Sequence, residues 1–269
     1  MSGDDLADWL AARLAADEPT MLARVARAEG STPRDDDAAM LVTARQAAGT
    51  IGGGALEWSA IERARELLAG ADAAPDWDVP LGPALGQCCG GRVTVRFVRA
   101  EAATVAALRD EAARRAAARP VAFLFGAGHV GRALMRALVP LPIAATLIDS
   151  RQTELALAEG PRLLRERPEL AVAEAPPGAA VVALTHSHTL DFLIARAALE
   201  RGDLAYVGMI GSATKRALFV RWLAAAGADP ALAAALVLPI GGAAPRDKRP
   251  EVIAAMTAAE LCLRLLRSA

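Results

Sequence analysis

Apolar and polar positions follow two periods along the chain. From Asp4 to Ala16, Leu6, Trp9, Leu10 and Leu14 recur at helical spacing, which predicts a helix with one apolar face. Thr20–Arg27 is apolar and strand-like and ends in the turn composition Gly30-Ser31-Thr32-Pro33. Met40–Ala44 is a second predicted strand. Gly49-Thr50-Ile51-Gly52-Gly53-Gly54 breaks the chain, and Ala55–Leu68 follows as a helix, with Leu56, Ile61, Ala64 and Leu68 near one face. After Gly90-Gly91, Val93, Val95 and Phe97 alternate with Thr94, Arg96 and Val98, a period of two that signals a strand. Glu101–Ala118 is helical by propensity and either packs on this first half or connects it to the second.

Arg119-Pro120 marks a boundary, because the residue before proline is pushed out of the helical region. Beyond it, strands and helices take turns. Val121–Phe125, Ala144–Ile148, Ala180–Leu184, Ala205–Met209 and Leu236–Ile240 read as buried strands. Helices are predicted from Val130 to Val139 and over Leu190–Leu199, Thr214–Ala226 and Glu251–Leu266. Such alternation implies a parallel sheet covered on both faces. The expected architecture is therefore α/β: a small α+β N-terminal domain (residues 1–117) followed by a Rossmann-like parallel-sheet domain (residues 118–269). No repeat at a period of 20–50 residues interrupts this reading.

Composition narrows the function classes. The 269 residues carry a formal net charge of −1 and lack the domain-wide basic surface that nucleic acid requires. Alanine makes up about a quarter of the chain, where ordinary usage has no dominant residue. Lysine occurs only at Lys215 and Lys248. No apolar run approaches the ~18 residues of a membrane span, and the acidic start Met1-Ser2-Gly3-Asp4-Asp5 is unlike a secretory signal. A soluble, cytoplasmic protein without membrane attachment is the expectation. Three cysteines do not make a disulfide framework, and Cys262 sits in an apolar helical stretch. Alanine-rich helices pack closely, which leaves a homodimer open, but no interface is legible.

The chemistry-bearing residues cluster in loops. Gly126-Ala127-Gly128-His129-Val130-Gly131 follows a predicted strand and opens a helix. Gly126 suits the tight turn, Gly128 lets a diphosphate approach the backbone, and Gly131 permits close packing of helix on strand. Asp149 ends the next strand, 21 residues after Gly128, where a solvated carboxylate would hold ribose hydroxyls. Ligands gather beyond the carboxyl ends of such strands, and all three histidines, His129, His186 and His188, fall at predicted strand ends. They read as polar loop residues, with Thr189 or Asp191 able to cap the next helix; a His-x-His metal pair is the weaker reading. Gly211, Ser212, Thr214 and Lys215 end a strand and open a helix, a composition suited to an anion pocket or, more plainly, to a capped helix with a solvated lysine.

In the first half, Gly52, Gly53 and Gly54 lead into a helix with Glu57 in its first turn and resemble a second anion cradle. Gln87-Cys88-Cys89-Gly90-Gly91 places two thiols between glycines. An accessible thiolate there can hold sulfur or a soft metal; otherwise the segment is a tight turn.

Together these stretches resemble the XdhC/CoxI family, accessory factors for xanthine dehydrogenase and related molybdenum hydroxylases. The matching segments are GSTPR (30–34), GTIGGGALE (49–57), LGQCCGG (85–91), GAGHVG (126–131), IDSR (148–151), THSHTLD (185–191), YVGMIGSATKR (206–216) and DKRPEVIAA (247–255). Asp37 departs from the pattern, standing where glycine is expected; aspartate tolerates the left-handed region better than most residues. The resemblance implies a non-enzymatic factor of purine catabolism that binds molybdenum cofactor (molybdopterin), supports its sulfuration by a cysteine desulfurase and delivers it to apo-xanthine dehydrogenase. Under it, Gly52–Gly54, Gly128 and Gly211–Lys215 contact phosphate or pterin. Glu57, Gln87, Gly126, His129, Gly131, Asp149, His186, His188 and Ser212 complete the cofactor-binding set, with a nucleotide in the Rossmann domain as a further ligand. Cys88 and Cys89 stand near molybdenum or the incoming sulfide. Two other classes stay open. One is a NAD-dependent oxidoreductase using Gly126–Gly131 and Asp149, although the chain's one tyrosine, Tyr206, lies in a strand. The other is a sulfur-carrying enzyme with Cys89 as persulfide acceptor.

The cysteine assignment has a direct test. Serine preserves size and turn chemistry but replaces a thiol of pKa about 8.5 with a hydroxyl that stays protonated. The double change Cys88→Ser, Cys89→Ser is expected to cost under about 1 kcal/mol of stability while lowering bound molybdenum and the reactivation of apo-dehydrogenase. Unchanged retention and reactivation would return the segment to a plain turn.

Overall fold

The structure, a computed structural model, describes residues 3–32, 38–82, 90–242 and 247–266. The chain divides into two compact units, Met1–Ala117 and Ala118–Ala269. No helix among the described residues is long and apolar enough to cross a membrane.

The first unit holds α1 (Gly3–Ala15), β1 (Met21–Glu29), β2 (Ala39–Val42), β3 (Ala47–Gly49), α2 (Gly54–Leu68), β4 (Asp76–Pro80), β5 (Arg92–Arg99) and α3 (Ala102–Ala117). Its strands form one antiparallel sheet in the order β3-β2-β1-β5-β4. The period-two pattern decides which face is buried. Met21, Ala23 and Val25 of β1 join Val93, Val95 and Phe97 of β5 under Leu56, Ala60 and Ala64 of α2. On the opposite face Leu41 and Ala48 meet Leu6, Ala7 and Leu10 of α1 and Leu108 of α3. Helix α3 thus packs on α1 within the first unit.

The second unit holds β6 (Val121–Phe125), α4 (His129–Leu138), β7 (Ala144–Asp149), α5 (Gln152–Ala156), β8 (Arg162–Leu164), β9 (Ala180–Ala183), α6 (His188–Arg201), β10 (Tyr206–Met209), α7 (Ala213–Ala225) and α8 (Pro250–Leu265). Short 3-10 segments lie at Pro168–Glu174 and Pro230–Ala235. The sheet is parallel throughout, in the order β10-β9-β6-β7-β8. The chain runs outward from β6 through β7 to β8, then returns to the other side of β6 for β9 and β10. The strand order therefore reverses between β6 and β9, and the crevice beyond the carboxyl ends there is where such sheets bind ligands. One face buries Leu124, Leu147 and Val182 under Leu134, Met135 and Leu138 of α4 and Ala254, Ala258 and Leu261 of α8. The other buries Phe125, Ile148 and Val181 under Phe192 and Ile194 of α6 and Phe219 and Leu223 of α7.

One predicted strand is corrected. Leu236–Ile240 makes only a single parallel bridge, Val237 to Gly208. Pro239 has no N–H to give to a ladder, and the Leu238–Pro239 peptide is cis. Backbone bonds from Val237 N–H to the Val207 carbonyl (2.9 Å) and from Met209 N–H to the Val237 carbonyl (3.0 Å) tie the segment to β10, and the Arg216 guanidinium adds bonds to the carbonyls of Ala233 (3.0 Å), Leu236 (2.8 Å) and Leu238 (2.9 Å).

The packing of α4 against the turn after β6 is tight enough to test. A Cβ built on Gly131 would stand 1.8 Å from the Gly126 carbonyl oxygen, and backbone cannot rotate away as a side chain can. Gly131→Ala is expected to lower stability in urea unfolding by about 3 kcal/mol, the upper range for overpacking. An unchanged midpoint would mean that the turn moves freely.

Candidate functional site

The carboxyl edge of the second sheet gathers the glycine turn after β6, Asp149 after β7, the histidine loop after β9 and Gly211-Ser212 after β10. Gly126 takes φ +119°, and its N–H donates to the Ile148 carbonyl at 2.8 Å. A Cβ there would meet the Leu184 carbonyl oxygen at 2.5 Å, so glycine lets the turn lie against the end of β9. Gly128 is the N-cap of α4, and nothing lies within 4 Å of the position a Cβ would take. His129, the first residue of α4, is exposed, and no acidic residue occupies that helix's first turn. The leading N–H groups of a helix have no intrahelical acceptor, and they attract anions. The start of α4 therefore lies open at Gly128, with no acidic side chain in its first turn.

Asp149 requires a correction. It was expected to be a solvated carboxylate, yet it is only 5% exposed. One oxygen accepts from the Ala127 N–H (2.7 Å) and Arg151 Nη2 (2.8 Å); the other accepts from the Arg151 N–H (2.9 Å) and Nε (3.0 Å). Burial works to raise its pKa. The Arg151 guanidinium and the two backbone N–H donors outweigh burial and hold the carboxyl below the ordinary range. The residue secures the glycine turn from beneath. Nearby, Arg132 ties Ala127 O (2.7 Å) to Glu154 (2.7 Å).

The loop after β9 is organised around Asp191, which is fully buried. It accepts from the Thr185 N–H at 2.8 Å and pairs with Lys215, whose Nζ also donates to the Ile210 carbonyl at 2.9 Å. Lys215 is 7% exposed. The structure thus corrects the reading of Lys215 as an anion holder or a solvated side chain, because its charge is matched internally. Neither Thr189 nor Asp191 caps α6; Ser187 does, accepting from the Leu190 N–H. Ser212 caps α7 by accepting from the Lys215 N–H. A side chain at Gly211 would meet Lys215 Cδ at 2.6 Å. His186 and His188 are exposed, and His188 stacks on Phe192 at 6.4 Å between centroids. Thr185, His186, His188, Gly211, Ser212 and Thr214 border an open cleft of about 410 Å³. Among the described residues no three histidine, cysteine or acidic side chains cluster as metal ligands do.

In the first unit the glycine cradle is already filled. Gly52, Gly53 and Gly54 take φ +138°, +77° and +64°. The Glu57 carboxylate accepts from the Thr50 hydroxyl (2.6 Å), the Gly53 N–H (3.0 Å) and the Ile51 N–H (3.3 Å). The expected phosphate site there is corrected, since the Gly53 N–H is taken by the chain's own carboxylate, which would repel a second anion, and the Gly52 N–H by the Thr50 hydroxyl (3.2 Å). Gln87, Cys88 and Cys89 lie outside the described residues, as does Asp37.

Three contributors escaped the sequence reading. Arg151 was visible in IDSR as a base two residues beyond the acid. Arg132 has no signal beyond helical spacing from the turn. Glu260 accepts from the Tyr206 hydroxyl (2.8 Å) and the Gly241 N–H (3.0 Å), a pairing across 54 residues that no local pattern carries. Burial, with Glu260 as acceptor, pushes the Tyr206 hydroxyl far above its ordinary pKa and keeps it protonated.

Because Asp149 is held ionised in the fold, below its unfolded value of about 3.9, its contribution is present above that pH and lost as pH falls through the folded value. Asp149→Asn is expected to cost about 2 kcal/mol at pH 7. The gap to wild type in urea unfolding should narrow below about pH 4. An equal gap at neutral and acid pH would show that charge is not what secures the turn.

The XdhC Rossmann domain family matches residues 122–261, and the XdhC and CoxI family matches residues 13–74. None of the curated proteins matches the chain. Among solved structures, a crystal structure from Bacillus halodurans described as a xanthine dehydrogenase aligns with 99% of this chain and 96% of its own, at a TM-score of 0.76 and 18% identity. At that identity the likeness speaks for the fold. The first family match alone spans more than half of the 269 residues, and the second falls in the antiparallel unit. The chain belongs to the XdhC and CoxI family.

Proposed function

We propose that this protein takes up molybdenum cofactor, supports its sulfuration and hands it to apo-xanthine dehydrogenase. The coarser part, an accessory role with xanthine dehydrogenase, follows from family membership. The observation that carries the finer part is the open start of α4: Gly128 leaves space at its Cβ position, no acid competes in the first turn, and the cleft bordered by His186, His188, Ser212 and Thr214 lies on the same sheet edge. A phosphate-bearing cofactor fits this donor set. It does not fit the turn at Gly53, whose N–H donates to Glu57, or Lys215, which Asp191 already matches.

When bound, the cofactor supplies the molybdenum centre on which the client enzyme depends. The chain's own residues do the rest. The Gly128 turn receives the phosphate, Asp149 and Arg151 keep that turn in place, and the two exposed histidines offer polar contacts beyond it. Cys88 and Cys89 are assigned to the molybdenum-proximal position, with a cysteine desulfurase as sulfur donor. The burial and pairing of Asp149 weigh against a ribose contact there, and so against a NAD-dependent oxidoreductase.

Gly128→Asp separates binding from folding. Gly128 has φ −68° and is an N-cap, a position aspartate favours, so the variant should be as stable as wild type. Its carboxylate would stand where the phosphate is received. Protein isolated from a cofactor-competent host is expected to carry molybdenum and pterin as wild type, and less than about a tenth as much as Gly128→Asp, since the exchanged contact is charge-assisted. Wild type that carries neither, or that turns over a substrate with NADH, would overturn the reading.

A further inference from the structure

Beside the cleft, and sharing Ile210 and Gly211 with it, lies a second recess of about 300 Å³. Its lining is aliphatic at Pro239, Ile240, Val252, Ile253 and Met256, with Lys248 at one side. That volume sits at the lower end of ligand pockets, about 300–1,000 Å³. Gly241 and Gly242 take φ +77° and +74°; Gly241 is buried against Met256 and Ile253 of α8, and Gly242 is exposed at the rim. This wall is fixed in place, because the Gly241 N–H donates to Glu260 at 3.0 Å and the Ile240 N–H to the Met209 carbonyl at 3.3 Å.

The charges of this recess separate cleanly. Asp247 is paired with Arg249 (2.7 Å), so it does not neutralise its neighbour. Lys215, the other lysine of the chain, is matched by Asp191. Lys248 is exposed and has no carboxylate partner among the described residues. A cation beside aliphatic side chains suits a flat, weakly polar body that carries an anionic group.

We infer that the recess between Pro239–Gly242 and the first turns of α8 takes the planar heteroaromatic ring of a phosphate-bearing ligand, with Lys248 meeting an anionic group of that ligand distinct from the phosphate received at Gly128. The ring could belong to the pterin of the cofactor or to a nucleotide; only the first of these rests on the uptake reading above.

The test uses the full chain and two probes in equilibrium dialysis: adenosine diphosphate, and molybdenum cofactor released from a molybdenum hydroxylase. Lys248→Met removes the charge, Met256→Trp fills the recess, and Lys248→Arg restores the charge. Each of the first two should weaken binding about tenfold or more, the scale of a lost hydrogen bond to a charged group. Lys248→Arg should stay within about threefold of wild type, a fraction of that energy. Melting temperatures confirm that each variant is folded. Weakening of the cofactor probe with rescue by arginine supports the recess as part of the uptake site. Weakening of the nucleotide probe, when wild type takes up no cofactor, supports the recess and removes the uptake reading. Cofactor bound equally by wild type and both disruptive variants overturns the recess and leaves the uptake reading standing. Binding of neither probe by wild type overturns both.

Discussion

Glycine-rich turns bring backbone N–H groups together, and buried N–H groups must find acceptors. This protein meets that requirement repeatedly with its own carboxylates. Glu57 fills the turn before α2, Asp149 holds Ala127 in the turn after β6, Asp191 holds Thr185 after β9, and Glu260 holds Gly241 after the short bridge to β10. Each acid comes from an element distinct from the turn it satisfies or from the helix that follows it. The turns are consequently fixed before any ligand arrives. Among the described residues, the start of α4, the rim of the histidine cleft and the recess at Lys248 keep surface that these carboxylates do not fill.

The architecture was legible because its elements are long or strongly patterned. Four buried apolar runs gave β6, β7, β9 and β10, and the spacing of Gly126, Gly128 and Gly131 after a strand placed the turn. What the sequence reading missed has physical reasons. β4 is an edge strand whose Asp76 and Asp78 pair with Arg96 and Arg92 on β5, so charge replaces apolar alternation there. β3 and β8 have three residues each, too few to show a period. Leu236–Ile240 was over-read as a strand because its apolar run outweighed Pro239.

The candidate site was legible in position and less so in role. Glu57, Asp149 and Lys215 stand beside glycine turns, as residues that bind ligands do. A sequence cannot say whether a side chain turns outward to a ligand or inward to the backbone. That choice depends on partners distant in the chain or on local geometry: Asp191 for Lys215, Arg151 and Ala127 for Asp149, Thr50 for Glu57. Lys215 and Lys248 illustrate the point. Both follow glycine-bearing segments, yet one is 7% exposed in an ion pair and the other is exposed at a recess.

The buried Asp191–Lys215 pair also bears on how a site of this kind would release its cargo. Removing either partner would strand a charge in the interior, which is strongly destabilising, whereas the intact pair adds little net stability. Its effect is to tie the loop after β9 to the loop after β10 without presenting a net charge to the cleft. Arg132 is matched by Glu154 and Arg151 by Asp149 in the same way. The basic side chains nearest the turn after β6 and the cleft therefore contribute rigidity more than field. An anion held by helix N–H groups and one exposed lysine is bound by fewer charge-assisted contacts than one caged by arginines, and each such contact absent speeds dissociation, where most differences in affinity between related complexes arise. Under the proposed uptake role that arrangement favours release: the loops are positioned by internal ion pairs, and among the described residues the proposed ligand would meet helix dipoles and Lys248.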